Sequence, residues 1–199
     1  MDKKRRKAAI KRVTRETAIG LRVDFDRPGT ESRIRCQVPF LGHMLELMSA
    51  HGGFALDVRA RGDVTVDDHH TTEDLGICLG TAVSQALADR KGIRRYGSAT
   101  VPMDEALVLV ALDLSGRAHL SYGLKVGGRR IKDFDTGLVE EFLLGFVRNV
   151  PCTLHLVQLA GRNDHHVIEA AFKAFGRALG AAVERDDRFR GVPSTKGRL

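Results

Sequence analysis

Tryptophan is absent from the 199 residues, tyrosine occurs twice, and aromatic residues make up only 6%. A platform of aromatic rings for stacking nucleic-acid bases is therefore excluded as the main function. No run of 18 apolar residues occurs, which excludes a membrane-spanning helix. The three cysteines, Cys36, Cys78 and Cys152, are odd in number and far apart. They form neither a disulfide framework nor a Cys-x-x-Cys metal knuckle. The first residues lack the apolar stretch of a secretory signal, so a reducing cytoplasm is the expected setting.

The net charge of +7 is unevenly spread. Residues 1–15 hold eight Lys or Arg and one Asp, which accounts for all of it. The other 24 basic and 24 acidic groups cancel. Residues 1–11 thus read as a solvated basic tail on a neutral body. A phosphate-attracting arm is the sharper alternative.

What the chain does contain is an internal repeat. DHHTTEDLGICLGTAVSQA at 68–86 matches DHHVIEAAFKAFGRALGAA at 164–182 with a shift of 96. Asp68, His69, His70, Glu73, Gly80, Ala82 and Ala86 fall on Asp164, His165, His166, Glu169, Gly176, Ala178 and Ala182. A tandem duplication predicts two halves of one architecture, near 1–97 and 98–199. In the first half, 18–25 and 32–38 read as strands around the turn DRPGTE. Residues 41–50 have helical apolar spacing, stopped by Gly52-Gly53. Residues 54–60 alternate as a strand, and a long helix runs from 69 to about 90, capped by Asp67 and Asp68. In the second half, 107–114 and 118–126 suggest a hairpin around Ser115-Gly116. Residues 138–148 read as a helix, 152–159 as a strand, and 165 to about 184 as the second long helix. The fold class is α+β, internally duplicated, each half a β-sheet covered by helices on one face. The other face needs a cover, which predicts an oligomer.

Six of the eight histidines lie at these motifs or on the short helix before the first: His43, His51, His69, His70, His165 and His166. His119 and His155 read as ordinary surface residues. At 100° per residue, Glu73 lies about 40° from His69 around the helix axis, while His70 is turned away by about 100°. One motif therefore presents ligands in two directions. Imidazoles and carboxylates without thiolate suit manganese, iron, cobalt or zinc, and the absence of Cys ligands argues against a structural zinc site.

Together, FLGHML, AHGGF, DDHHTTEDLG, RNDHHVIEAAFKAFGRAL and VPSTKG closely resemble the imidazoleglycerol-phosphate dehydratase family, over residues 12–197. The resemblance implies a ribosomal S5 domain 2-like fold and a homo-oligomer of 24 subunits. It implies two Mn²⁺ ions per active site and dehydration of D-erythro-imidazole glycerol phosphate to imidazole acetol phosphate in histidine biosynthesis. One ion would take His43, His70, His165 and Glu169, the other His69, Glu73, His166 and Glu141. Family members often carry His where Glu141 stands, so either its carboxylate replaces the imidazole or it lies on the surface and water fills the position. Gly42 stands where Asp is usual, which removes a carboxylate that would orient His43.

For the substrate phosphate the resemblance points to Arg95, Arg117, Ser194, Thr195 and Lys196, and guanidinium forks with a Ser/Thr/Lys cluster suit a phosphate monoester. Gly127-Gly128 reads as a turn, since it lacks the context of a phosphate loop. Glu16 matches the family's general acid/base, with His51 and Glu73 as further proton carriers. The expected partner is a small phosphate ester, with neither nucleic acid nor membrane. A nucleic-acid or metal-binding module without catalysis fits the neutral body poorly, and a metal-dependent phosphatase lacks an evident carboxylate nucleophile.

Overall fold

The computed structural model of this chain describes residues 5–126, 130–188 and 191–197. Gly127-Gly128 and the first four residues of the basic tail lie outside the described residues. The first half runs β1 (Lys7–Val13), β2 (Thr17–Asp24), β3 (Arg33–Cys36), α1 (Pro39–Gly52), β4 (Ala55–Gly62) and α2 (His69–Leu87). The second runs β5 (Tyr96–Met103), β6 (Ala106–Asp113), β7 (His119–Gly123), a small ribbon β8 (Arg130–Ile131) and β9 (Phe134–Asp135), α3 (Leu138–Asn149), β10 (Thr153–Ala160) and α4 (Asp164–Val183).

The sheets are ordered β1-β2-β4-β3 and β5-β6-β10-β7, strand for strand the same. Alternation builds each inner face. Ile19, Leu21 and Val23 of β2 point inward with Leu56, Val58 and Ala60 of β4, and Val108, Val110 and Leu112 of β6 do so with Leu154 and Leu156 of β10. Helices α1 and α2 pack on the first sheet, and α3 and α4 on the second. The helices then face one another, α1 against α4 and α2 against α3. The result is four layers, sheet–helix–helix–sheet, with the outer face of each sheet open. Tyr96 and Val157 are exposed on the second.

The duplicated glycines explain the close helix layers. A Cβ on Gly80 would run into the Phe146 carbonyl of α3, and one on Gly176 into the Met48 carbonyl of α1. Gly97 of β5 plays the same part where α4 crosses the sheet, against the Ala178 carbonyl.

Three sequence expectations are corrected. Residues 7–11, assigned to the tail, lie in β1. Charge masked its alternation, with Lys7 and Lys11 outward and Ala8 and Ile10 inward. Neither expected strand pair is a hairpin. β4 lies between β2 and β3, and β10 between β6 and β7, because β3–α1–β4 and β7–α3–β10 are parallel crossovers. The hairpin partner in each half is the first strand, β1 or β5, and β4 or β10 pairs antiparallel on the other side of β2 or β6. Helix α2 stops at Leu87, before Arg90. Ala88 and Arg90 take positive φ, and the buried Arg90 guanidinium donates to the carbonyls of Leu114, Val150 and Pro151.

Candidate active site

Both long helices begin in the same way. The Asp67 carboxylate accepts the His69 backbone N–H at 2.8 Å, and Asn163, its counterpart in the repeat, accepts that of His165 at 3.0 Å. Asp68 occupies the cap position without a side-chain bond. These caps fix four imidazoles at two helix starts. The rings of His69 and His70 are 6.1 Å apart at 85°, and those of His165 and His166 are 6.2 Å apart at 85°. The two imidazoles of each pair therefore point in two directions, as the helical angle predicts.

On one side, His69 Nε2 lies 3.9 Å from Glu73 Oε2, and His165 Nε2 lies 3.2 Å from Glu169 Oε2. Glu169 is buried, and its other oxygen meets Lys173 Nζ at 2.7 Å. Burial pushes its carboxyl up, but the bond and charge of Lys173, with His165, outweigh this and hold it below the usual range. On the other side, His70 Nδ1 lies 3.1 Å from Asp63 and His166 Nδ1 lies 2.7 Å from Glu105. These bonds lift both imidazoles above their ordinary pKa. Glu105 is held down at about 2 by His166 and by the backbone N–H groups of Asn163 and Arg162.

The remaining candidates fall around these pairs. Phe40 meets the His165 ring at 5.4 Å, and Gly176 and Gly180 lie against Met48 and Gly52. That register sets exposed His43 level with the Glu169 turn of α4. On the other helix pair, Gly76 lies against Phe142, and Gly145 against the Glu73 carbonyl, so Glu141 is level with Glu73. The Glu141 side chain is half-buried and has no partner among the described residues. Glu16, in the β1–β2 connection, has its Oε1 3.9 Å from His70 Nε2. His51 sits eight residues beyond His43, about 12 Å along α1. It lines a separate cavity of about 560 Å³ with Arg6, Phe54 and Arg177. Burial, then the charges of Lys173 and Arg177, lower its pKa.

Of the phosphate candidates, Arg95, Ser194 and Thr195 line a cleft of about 880 Å³ together with Arg94, Tyr96, Asp186 and Arg188. Arg95 has φ +73° and lies over the Tyr96 ring. Its guanidinium is forked on Asp113 at 2.7 and 3.1 Å, and its third arm donates to the Pro193 carbonyl at 2.8 Å. Lys196 adjoins the cleft, its backbone N–H bonded to Ser194 Oγ. Arg117 is exposed on the loop after β6 and does not line the cleft.

Within one chain these two regions are apart. The Arg95 backbone N–H donates to the Ala182 carbonyl near the end of α4, whereas His165 and Glu169 are at its start. The rise of the helix makes that about 25 Å to His165 and about 20 Å to Glu169. Among the described residues of one chain, no three His, Cys, Asp or Glu side chains form a group placed to hold a metal ion. Asp63, Glu105 and Lys173 were missed in the sequence. Lys173 had a readable signal, one helical turn from Glu169, while Asp63 and Glu105 had none short of the fold.

The family model of imidazoleglycerol-phosphate dehydratase matches residues 36–179. The chain is 56% identical to the imidazoleglycerol-phosphate dehydratase of Moorella thermoacetica, over 98% of each chain. It is 52% identical to the chloroplastic enzyme of Pisum sativum, over 96% of this chain and 68% of that one. The solved structure from Staphylococcus aureus aligns with a TM-score of 0.80 at 39% identity, over 90% of this chain and 99% of that one. That of the Pyrococcus furiosus protein in complex with (S)-C348 gives 0.80 at 35%, over 96% and 100%.

Proposed function

The chain belongs to the imidazoleglycerol-phosphate dehydratase family, hydro-lyases of histidine biosynthesis, and from that we propose a metal-dependent dehydration of D-erythro-imidazole glycerol phosphate to imidazole acetol phosphate in a site shared between chains. The observation that carries the shared site is the separation of about 20–25 Å between the cationic cleft and the His165–Glu169 pair of one chain. A small phosphate ester cannot touch both. A homo-oligomer of 24 subunits, placed in the cytoplasm, brings the cleft of one chain to the pairs of another and covers the open sheet faces.

The donor set fits two Mn²⁺ ions. Imidazole and carboxylate stand together at both helix starts, and the half-buried or buried thiols of Cys36, Cys78 and Cys152 stay protonated, pushed up to about 11, 11 and 12 by burial. Hard and borderline divalent ions prefer this set. His43, His165 and Glu169 would serve one ion with His70 of another chain. His69, Glu73 and Glu141 would serve the other with His166 of another chain. When bound, the ions hold the substrate imidazole and help its ring accept the charge left by the departing carbon-bound proton.

The chain's own groups do the rest. Arg95 is held in one orientation by Asp113 and the Pro193 carbonyl, and its charge, with the remaining guanidinium N–H groups, Ser194, Thr195 and Lys196, would bind the phosphate. Arg117 would reach that phosphate from its exposed loop. Glu16 stands beside His70 and carries the proton at its carboxylate oxygen, while Glu73, on the other side of the helix start beside His69, is the further carboxylate proton carrier. His51 lines its own cavity and has no place in this scheme. Adding Mn²⁺ and imidazole glycerol phosphate to chelator-treated protein tests the reading. Acetol phosphate should form only with the ion restored, and turnover unaffected by verified metal removal would overturn it.

A further inference from the structure

The two outward-turned imidazoles, His70 and His166, are held differently in the two halves. Glu16 and Glu105 occupy equivalent places, each immediately before the second strand of its sheet. In the second half, Glu105 Oε1 accepts the backbone N–H groups of Arg162 and Asn163 at 3.2 and 2.9 Å, which pins the carboxylate. Its Oε2 meets His166 Nδ1 at 2.7 Å. In the first half the hairpin acid is not used this way. The carboxylate of Asp63, just past β4, lies 3.2 and 3.1 Å from His70 Nδ1, and the Asp63 N–H is tied to the Glu16 carbonyl at 3.1 Å. A carboxylate can only accept, so in the neutral ring Nδ1 carries the proton and Nε2 presents its lone pair. Nε2 of His70 then faces Glu16 at 3.9 Å, and Nε2 of His166 faces Asp104 at 3.8 Å.

We propose that Asp63 and Glu105 are positioning residues that fix the tautomer and aim of His70 and His166 for metal, and that Asp63 thereby leaves Glu16, the repeat counterpart of Glu105, unbound for proton transfer. The inference rests on the metal reading above. A carboxylate behind a ligating imidazole sets its orientation and raises its basicity, and its loss weakens metal affinity 10–100-fold in general. The duplication therefore diverged at this point. One hairpin acid became a support, and the other was relieved of that duty by a neighbouring strand end.

The test is Mn²⁺ titration of the chelator-treated full chain, reading free Mn²⁺ by its paramagnetic resonance signal. Wild type should fill two sites per chain. Glu105→Gln keeps an oxygen for the Arg162 and Asn163 N–H groups but turns an amide N–H toward Nδ1, which drives the ring proton to Nε2. One of the two sites should then weaken about 10–100-fold while the other is unchanged. Asp63→Asn should weaken the other site alone, and the double variant both. Glu16→Gln should leave both Mn²⁺ affinities unchanged. Urea midpoints of the metal-free variants equal to wild type exclude a folding defect. Two unaltered sites in Glu105→Gln, or loss of both together, would overturn the positioning role. Failure of wild type to take up Mn²⁺ at all would bring down the metal reading first, and the inference with it.

Discussion

Gly176 of α4 lies directly against the Met48 carbonyl of α1, and no side chain larger than hydrogen fits between them. This contact joins the two halves and sets the level at which His43 stands beside the Glu169 turn.

Gly176→Ala should therefore force α1 and α4 apart. Overpacking of this kind costs about 1–3 kcal/mol. A urea titration should show the loss. Gly20→Ala is the control, since a Cβ there meets nothing within 4 Å. Equal midpoints for Gly176→Ala and wild type would show that the helix layers are not closely packed.

This glycine was visible in the sequence as one of the seven repeated identities, but its reason was not. The Asp67 cap and the two directions of the His-His pairs were legible because helical geometry is local, whereas the level of Glu141 with Glu73 depends on how α2 packs against α3. The partners of β2 and β6 were not. Lys7 and Lys11 made β1 look like tail, and Gly97, Ser98 and Pro102 weakened the β-signal of β5. Both are edge strands, where Lys and Pro are tolerated. Asp63 and Glu105 are 7 and 61 residues from the histidines they hold. Only the fold brings Glu105 to His166.

Glu141 tests the proposed metal set at the position where the resemblance leaves the ligand open between a carboxylate and water. Glu141→His should retain dehydratase turnover with Mn²⁺. Glu141→Ala should weaken one Mn²⁺ site by at least about 10-fold. Mn²⁺ titration of both variants checks this, and an unaltered Glu141→Ala protein would place the side chain outside the metal set.

The thiols should be slow to react. Cys78 and Cys152 are fully buried, and burial raises all three thiols well above 9. Alkylation at pH 8 should modify the native protein slowly, Cys36 first, and all three groups quickly in denaturant. Rapid native labelling of Cys152 would contradict the packing around it.

Asp186 offers a test of pH dependence at the cleft. Hydrogen bonds from Arg188, at 2.6 and 2.8 Å, hold its carboxyl at about 2. A folded pKa below the unfolded one stabilises above the ordinary Asp value of about 3.9, and that stability is lost as pH falls toward 2. Urea midpoints between pH 5 and 2 should fall more steeply for wild type than for Asp186→Asn. Parallel curves would show that the pair contributes nothing.

Subunit complementation tests the shared site most directly. Arg95→Ala and Glu169→Ala homo-oligomers should each be nearly inactive, since every site lacks one group. Metal-free chains of the two, mixed in equal amounts and assembled with Mn²⁺, should regain activity in about a quarter of the sites by random association of chains. A mixture no more active than its components would place Arg95 and Glu169 in the same site of the same chain, and would contradict a site built between chains.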